Sequence, residues 1–582
     1  MSAFLGVEHS ATGRRWIGPD IELDRQAQGL AQQTGLPQPL SNLLAARGIQ
    51  AADAEQFLNP SLRDLMPDPS SLKDMDKAAA RFVDAVESKQ RIAVFADYDV
   101  DGGASAALLI NWLHDMAITA TLYIPDRIDE GYGPNDAAMQ MLAKGHDLII
   151  CVDCGTLSHG PIKAAAPIDV IVLDHHQGGE TLPPAHSVVN PNRQDEDTPL
   201  TYLCAAGVVF MLLVAVNRAM RAAGKTGPDL IAMLDLVALA TVADVAPLQG
   251  LNRAFVQQGL KVMSRRKRVG MTALADVARM DTTPNSYHLG FLLGPRVNAG
   301  GRIGKADLGA RLLSTQDAHE AAALAEKLDQ LNMDRREIEE QVRLKALEQA
   351  EARGFDAPLV WAAGNGWHPG VVGIVASRLK DKANRPAIVI GFDGDDGKGS
   401  GRSINGIDLG AAIARLVSEG LLEKGGGHKM AAGLSVTRPK LEQAMARLSE
   451  LLAKQGADQI GPADLKITGL LGPQAITTEL IEQLESAGPF GAGAPAPRFA
   501  LPSMRVAFAK RAGETHLRLT FQDASGGRID AISFGAYDTP MGAMLEGHDG
   551  ALFHVVGRLE VDTWGGRKKP KLRLEDVARV DA

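Results

Sequence analysis

The sequence predicts an α/β protein in which a parallel-sheet domain is joined by a long helix to a smaller α/β domain, with a small β-barrel following. Three observations predict it. From Arg91 onward, short apolar β-type runs alternate with helix-length segments, the pattern of βαβ units. A long stretch with few helix breakers covers Asp317–Arg353. After Gly461 the chain reads as short alternating strands with glycine turns, which suits a small barrel or sandwich.

Size and composition are compatible with that division. At roughly 100–200 residues per domain, 582 residues make three or four domains. Hydrophobic residues at 45% and charged residues at 23% match an ordinary soluble chain and exclude disordered, collagen-like and disulfide-scaffold classes. Lys and Arg number 61 against 70 Asp and Glu, a net charge of −9, which argues against a general DNA-coating protein and leaves nucleic acid to local basic surface. The three cysteines, Cys151, Cys154 and Cys204, suggest a reducing compartment. The N-terminus lacks a signal-peptide core, and the longest apolar run, Cys204–Val216, is shorter than the ~18 residues of a membrane span. It reads as a buried helix, and the chain as a cytoplasmic protein without membrane contact.

Taken in order, residues 1–45 form an N-terminal segment, and helical patterning broken by Pro60, Pro67 and Pro69 continues to about residue 90. The first α/β domain is placed at 46–316. Its β runs, Ile92–Ala96, Ala120–Ile124, Leu148–Val152 and Ile168–Leu173, are apolar on both faces, as strands of a buried parallel sheet are. The connecting helix is placed at 317–354, where Leu324, Leu328, Leu331, Ile338 and Val342 keep 3-and-4 spacing and Gly354 suits a C-cap. The pattern lapses at Arg335, which favours a domain-linking helix over a dimerising coiled coil. The second α/β domain covers 355–456. The barrel covers 457–582, where Leu517, Leu519 and Phe521 alternate with polar residues and Gly526-Gly527 turns the chain into Ile529–Phe534. Phe553–Val561 and Lys571–Val577 follow, divided by Trp564-Gly565-Gly566.

The chemistry concentrates where three β runs end. Ile92–Ala96 runs into DYDVDG with Asp97, Asp99 and Asp101; Leu148–Val152 runs into Asp153; Ile168–Leu173 runs into Asp174-His175-His176. Ligands of open parallel sheets bind beyond the carboxyl ends of the strands. If these runs are parallel neighbours, their carboxylates and imidazoles converge. So many carboxylates repel unless cations sit among them, and mixed Asp and His ligands suit Mn²⁺, Mg²⁺ or Zn²⁺. The ligands exceed the needs of one ion, and two ions would serve an in-line phosphoryl displacement. Gly102 frees the backbone to turn into a helix. A lone DxDxD reads equally as a solvated turn or a calcium loop, but the loop's twelfth-position Glu is absent. Cys151 and Cys154 lack the second pair or helix N-terminus of a zinc or redox site and read as structural.

Together with Arg127 and the EGYG of Glu130–Gly133, the DYDVDG, VDCG and DHH motifs resemble the DHH phosphoesterase superfamily. LVALATVADVAPL around Asp244, GPRVNAGGR at Gly294–Arg302, GVVGIVASRL at Gly370–Leu379, GSGRS at Gly399–Ser403 and GGHKMAAG at Gly426–Gly433 narrow the resemblance to its bacterial single-stranded-DNA exonucleases. The resemblance implies a DHH domain, a connecting helix, a DHH-associated domain and an OB-fold. It implies Mn²⁺- or Mg²⁺-dependent hydrolysis of single-stranded DNA from the 5′ end to 5′-mononucleotides, in DNA repair and recombination. By motif matching, Asp99, Asp101, Asp153, His175 and Asp244 are metal ligands, and Asp97 and His176 are ligands or phosphate contacts. Asp101, Asp153, His176 and Arg302 are the expected catalytic set, and Arg127 and Asn298 the expected phosphate contacts. Where some relatives carry a metal-binding His, this chain has Phe95. A single-strand-binding protein and a helicase are implied partners. A phosphodiesterase acting on oligoribonucleotides or cyclic dinucleotides, and an inactive replication scaffold, are the alternatives; the long connector opposes the first and the complete set of carboxylates the second.

Arg302 is read in a glycine-flanked loop, either clamping a phosphate or pairing with the acidic cluster. KGSGRS, with Ser400, Arg402 and Ser403, and GGGHKMAAG, with His428 and Lys429, read as glycine-rich turns whose N–H groups wrap an anion. Ser400 and Arg402 are expected to hold the 5′-terminal phosphate. No G-x-x-x-x-G-K-[ST] loop is present, so ATP use is not expected. GRKKPKLR beside Trp564 reads either as a single-strand track with a stacking ring or as a solvated hairpin, and SRRKR at Ser264–Arg268 is equally open.

Overall fold

The computed structural model describes residues 3–127, 130–461, 463–563 and 566–580. The chain divides into two compact units, Leu65–Ile460 and Met1–Asp64 together with Gly461–Ala582.

The larger unit is built on a wholly parallel five-stranded sheet. Its strands are β1 (Ile92–Ala96), β2 (Thr121–Tyr123), β3 (Leu148–Val152), β4 (Asp169–Leu173) and β5 (Ser187–Val189), in the order β2-β1-β3-β4-β5. Every residue of β1 and β3 is buried, which is why both faces had to be apolar. The short β5 was not read from the sequence because three residues are too few to establish a period. Phe95 is buried in this sheet and stacks on Tyr123 with ring centroids 5.4 Å apart. The apolar run beginning at Cys204 becomes the helix Ala205–Ala222, long and apolar enough to cross a membrane, with 67% of it buried inside the protein.

The long helix, Ala318–Arg353, has 36 residues and is about 54 Å long. The Asp317 carboxylate caps it, accepting from the N–H groups of His319 (2.7 Å) and Glu320 (3.1 Å). Gly354 ends it in the left-handed region at φ +83°. Its first half packs Leu328 and Leu331 against the helix Gly294–Ile303, where side chains at Gly300 and Gly304 would crowd them. Its second half places Val342, Ala346 and Ala350 in the core of the next sheet. The lapse at Arg335 is a buried polar network, since Arg335 donates to Glu339 and to Asn332 (2.9 Å).

That next sheet comprises β6 (Val360–Asn365), β7 (Ala387–Asp393), β8 (Asp396–Arg402), β9 (Lys424–His428) and β10 (Ala431–Thr437), ordered β9-β10-β8-β7-β6 with only β6–β7 parallel. The two glycine-rich stretches expected as anion-wrapping turns are therefore strands. β8 lies between β10 and β7, so the ladders occupy its backbone groups. Its glycines answer a packing demand: a Cβ at Gly397, Gly399 or Gly401 would come within 2.7 Å of Phe392, 2.8 Å of Ile390 or 2.5 Å of Ile388.

The smaller unit is a closed five-stranded barrel of β11 (Phe499–Ala512), β12 (His516–Gln522), β13 (Arg528–Ser533), β14 (Leu552–Asp562) and β15 (Lys569–Arg579), with β11 pairing back onto β14. Leu517, Leu519 and Phe521 fill its interior. β11 escaped the sequence reading because Pro502 and two register shifts interrupt its alternation. The N-terminal segment is part of this unit. Arg15–Ile17 pairs in parallel with Asp464–Lys466, and fully buried Trp16 donates its indole N–H to Asp576 (2.9 Å). Residues 46–64 also lie in this unit, so the boundary drawn after residue 45 falls inside it.

Candidate metal centre

The register of the parallel sheet sets β1, β3 and β4 side by side, so the residues that follow them share one rim. Asp97 directly follows β1. Asp99 caps the helix Val100–Asp115, one carboxylate oxygen accepting from the N–H groups of Asp101 (2.8 Å) and Gly102 (3.1 Å). Gly102 is needed for closeness rather than for an unusual backbone angle, because a Cβ there would lie 2.4 Å from the Asp97 carbonyl. Asp101 is buried, and its two oxygens accept from Ala205 N–H (2.6 Å) and Ala206 N–H (2.8 Å) at the start of Ala205–Ala222. Asp153 has φ +59°, a left-handed turn that swings its carboxylate off the line of β3. Asp244 ends the helix Leu234–Ala243, so it reaches the rim from a helix rather than a strand.

These side chains converge. His175 Nε2 lies 3.2 Å from Asp153, 3.6 Å from Asp101 and 3.9 Å from Asp244. Ligand atoms of Asp97, Asp99 and Asp153, of Asp101, His175 and Asp244, and of Asp153, His175 and His176 form three overlapping groups, each within 4.8 Å. The electrostatics are unfavourable as they stand. Burial and neighbouring carboxylates hold Asp97 and Asp153 well above the usual carboxylate range. Burial, with Asp101 and Asp99, pushes Asp244 up to about 9. Burial also raises Asp101, while His175 opposes it. One oxygen each of Asp97 and Asp153 is buried without a hydrogen-bond partner. A hard divalent cation satisfies both the stranded oxygens and the repulsion, and the oxygen-rich set with imidazole nitrogen fits Mn²⁺ or Mg²⁺.

Asp174 plays a different part. Its carboxylate accepts from Thr156 N–H (3.0 Å), His175 N–H (2.8 Å) and His176 Nδ1 (2.8 Å), and the charge and hydrogen bonds of His176 and Thr156 outweigh burial and hold it low. It fixes the His176 ring. Burial works against the charge of His176, but Asp174, with Asp244 and Asp101, raises it to about 9. Sequence reasoning missed three supports of this loop. Asn190 donates to His176 O (2.8 Å), Asn192 donates to His175 O (2.7 Å), and the Tyr132 hydroxyl donates to Asp153 O (3.0 Å). The signals were present in the Asn190-Pro191-Asn192 sequence and in EGYG, but only β5 brings the asparagines beside the histidines.

The phosphate-contact candidates divide. Arg302 lies in the last turn of Gly294–Ile303, a helix rather than the expected loop, and donates to Gly370 O (3.0 Å). Among the described residues no carboxylate pairs with Arg302 or Arg402. Burial, with Arg127 and Arg335, pushes Arg302 down to about 10, and burial with Arg127 lowers Arg402. The guanidinium of Arg127 lies over the Tyr98 ring at 5.2 Å. Arg402 donates to the Ser400 hydroxyl (3.0 Å), and a Cβ at Gly373 would touch both side chains. His368 caps the helix Pro369–Ala383 beside them, its Nδ1 accepting from Gly370 N–H (3.0 Å), and was also missed. Asn298 turns its side-chain oxygen to Val100 N–H (3.1 Å), supporting the DYDVDG loop. Ser403 is buried and donates to Ile407 O (2.9 Å). His428 and Lys429 are exposed at the β9–β10 turn. Trp564 lies outside the described residues. In SRRKR, Arg268 is paired with buried Asp235 (2.8 Å) and Arg266 with Asp276, so these two arginines serve the fold. Cys151 and Cys154 are buried and unpaired, as expected of structural thiols.

The chain is similar to known proteins in sequence and in fold. The DHH family N-terminal domain matches residues 91–241, the DHHA1 domain residues 356–454 and the RecJ OB domain residues 467–576. The single-stranded-DNA-specific exonuclease RecJ of Escherichia coli is 37% identical over 562 residues, 93% of this chain and 96% of that protein. Crystal structures of RecJ from Thermus thermophilus superpose with TM-scores of 0.80 (with Mn²⁺) and 0.74 (with Mg²⁺). They are 29% and 28% identical and cover 97% of this chain and 80% and 79% of those chains.

Proposed function

The chain belongs to the RecJ family of single-stranded-DNA-specific exonucleases, and from that premise we propose that it hydrolyses single-stranded DNA from the 5′ end, releasing 5′-mononucleotides. The observation that carries this reading is the rim of five carboxylates, three of them buried and two with a stranded oxygen, beside two arginines that no carboxylate among the described residues pairs with.

Asp97, Asp99 and Asp153 form one ligand group and Asp101, His175 and Asp244 the other, with Asp153 and His175 between them. Divalent ions, when bound there, supply Lewis-acid polarisation of the phosphodiester and make water acidic enough to attack near neutral pH. Asp101 is pre-positioned by two backbone N–H groups, so its oxygens do not have to be ordered on binding. Asp174 grips His176 Nδ1 and fixes the ring beside Asp153 and His175, where it can hydrogen-bond a phosphate oxygen. Arg302 and Arg127 share that task, and Ser400 with Arg402 receives the 5′-terminal phosphate, so polarity follows from where a strand end can be seated. Phosphodiester hydrolysis is downhill and calls for no ATP. Unwound strand is the substrate, so a helicase that supplies it and a single-strand-binding protein that covers it are the implied partners, in the cytoplasm and in DNA repair.

The test is digestion of 5′- or 3′-labelled single strands with Mn²⁺, beside a cyclic dinucleotide and an Asp101→Ala control. Release of the 5′ label as mononucleotide by the unmodified chain alone is the expected result. Cleavage confined to the cyclic dinucleotide, or silence on every substrate, would overturn it.

A further inference from the structure

Two of the largest exposed apolar side chains of the sheet-containing unit stand together. Tyr287 and Phe291 are 57% and 72% exposed, and their rings stack with centroids 5.3 Å apart and planes 21° from parallel. Aromatic residues are only 4% of this chain, so leaving two in water on one helical face gives up stabilisation that a core position would provide.

The segment that carries them is built to hold them still. His288–Leu293 is a π-helical turn that merges into Gly294–Ile303; such turns are rare and concentrate at functional sites. Its inner face is anchored by Leu289 and Leu293, both fully buried. Its start is locked reciprocally, Asn285 N–H donating to His288 Nδ1 (3.1 Å) and His288 N–H donating to Asn285 Oδ1 (3.2 Å). The turn also packs on the helix that ends at Asp244. A Cβ at Gly290 would lie 3.2 Å from Val242, and one at Gly294 would lie 3.2 Å from Ala243, so these glycines seat the turn on the last residues before Asp244. Downstream, the same run of helix delivers Asn298 and Arg302.

We propose that Tyr287 and Phe291 are a stacking platform for the nucleobases of the single strand on the Asp244 side of the metal centre. This rests on the exonuclease reading and deepens it from phosphate chemistry to base recognition. The occupant is a nucleobase because the helical run that carries the rings packs on the residues before Asp244 and continues to Asn298 and Arg302, and because the rings offer flat faces, which suit every base without reading sequence. Bases already paired and stacked in a duplex cannot use it, so it adds to discrimination against double strands.

The experiment compares the full-length chain with a Tyr287→Ala/Phe291→Ala variant and a Tyr287→Phe/Phe291→Tyr variant. Binding of ordinary strands and of strands with abasic sites near the 5′ end is read by fluorescence anisotropy, and cleavage is read separately. The alanine variant is expected to bind ordinary strand roughly tenfold more weakly with kcat within about twofold of the unmodified chain. The aromatic variant restores binding, and abasic strands bind both proteins equally weakly. Unchanged binding by the alanine variant, or an equal loss on ordinary and abasic strands, would overturn the platform. So would unchanged binding accompanied by loss of a concentration-dependent dimer, which would make the patch a self-contact. An unmodified chain that cleaves nothing would overturn the exonuclease reading instead, while anisotropy still decides the platform.

Discussion

Asp97, Asp99 and Asp101 at the sheet rim and Lys568, Lys571 and Arg573 on the β14–β15 hairpin are both runs of like charge in the sequence. On the hairpin three of the five cations have an acid: Lys568 meets Glu482 at 2.7 Å, Lys571 meets Asp562 at 3.2 Å and Arg573 meets Glu560 at 3.4 Å. At the rim no lysine or arginine among the described residues pairs with Asp97, Asp99, Asp101, Asp153 or Asp244, although most of these are buried. Paired surface charge is a solvated feature of the fold and contributes little. Buried charge of one sign persists only where a ligand of the opposite sign completes it. The motif that looked like a nucleic-acid track is thus partly neutralised by its own neighbours, and the one that looked self-destructive has the ligand groups to hold divalent cations.

The largest expected effect comes from breaking the rim. Asp101→Ala should lower kcat on single strands by on the order of 10²–10³, with stability retained in a thermal melt. A loss below tenfold would place Asp101 with the paired charges. The rim should also reveal itself without substrate. The folded-state value of Asp244, about 9, lies above its ordinary 3.8, so the metal-free fold holds a proton that the unfolded chain releases. That contribution to stability is lost as pH rises from about 4 through 9. Melting of the metal-free chain should fall across this window, Mn²⁺ should flatten the fall, and Asp244→Asn should remove part of it.

Asp174→Asn spares every ligand but loosens His176, and a loss of roughly 10- to 100-fold in activity is expected. Activity within twofold would show that His176 needs no support. Arg402→Ala should weaken strand engagement about tenfold, through KM more than kcat; an equal kcat loss with unchanged KM would contradict its seating role. The smallest effect belongs to the hairpin. Lys571→Ala should change strand affinity by less than about twofold, because its charge is already answered by Asp562. A change as large as that of Arg402→Ala would erase the contrast between the two regions.

Much of the rim was legible because each part has a local signature: an apolar run long enough to be a buried strand, then acids at its carboxyl end. The connecting helix was legible for the same reason, in its spacing and in the Asp317 and Gly354 caps. Short or interrupted elements were not. β5 has three residues, β11 is broken by Pro502, and Gly294–Ile303 looked like a loop because three of its residues are glycine. Those glycines, like the ones in β8, answer to neighbours distant in sequence, and no local pattern distinguishes a glycine that turns from one that makes room.

The sequence by itself determined that acids and imidazoles would meet at the end of a parallel sheet, since strand period and chain direction are local properties. Only the tertiary structure decided which charges remain unanswered. Asp174 was withdrawn to hold His176, Asn298 to hold the loop and Ser403 to hold its own turn, while Arg302 and Arg402 stayed without acids. Pairing depends on distances of a few ångströms between segments hundreds of residues apart, and those are set by packing rather than by any stretch of sequence.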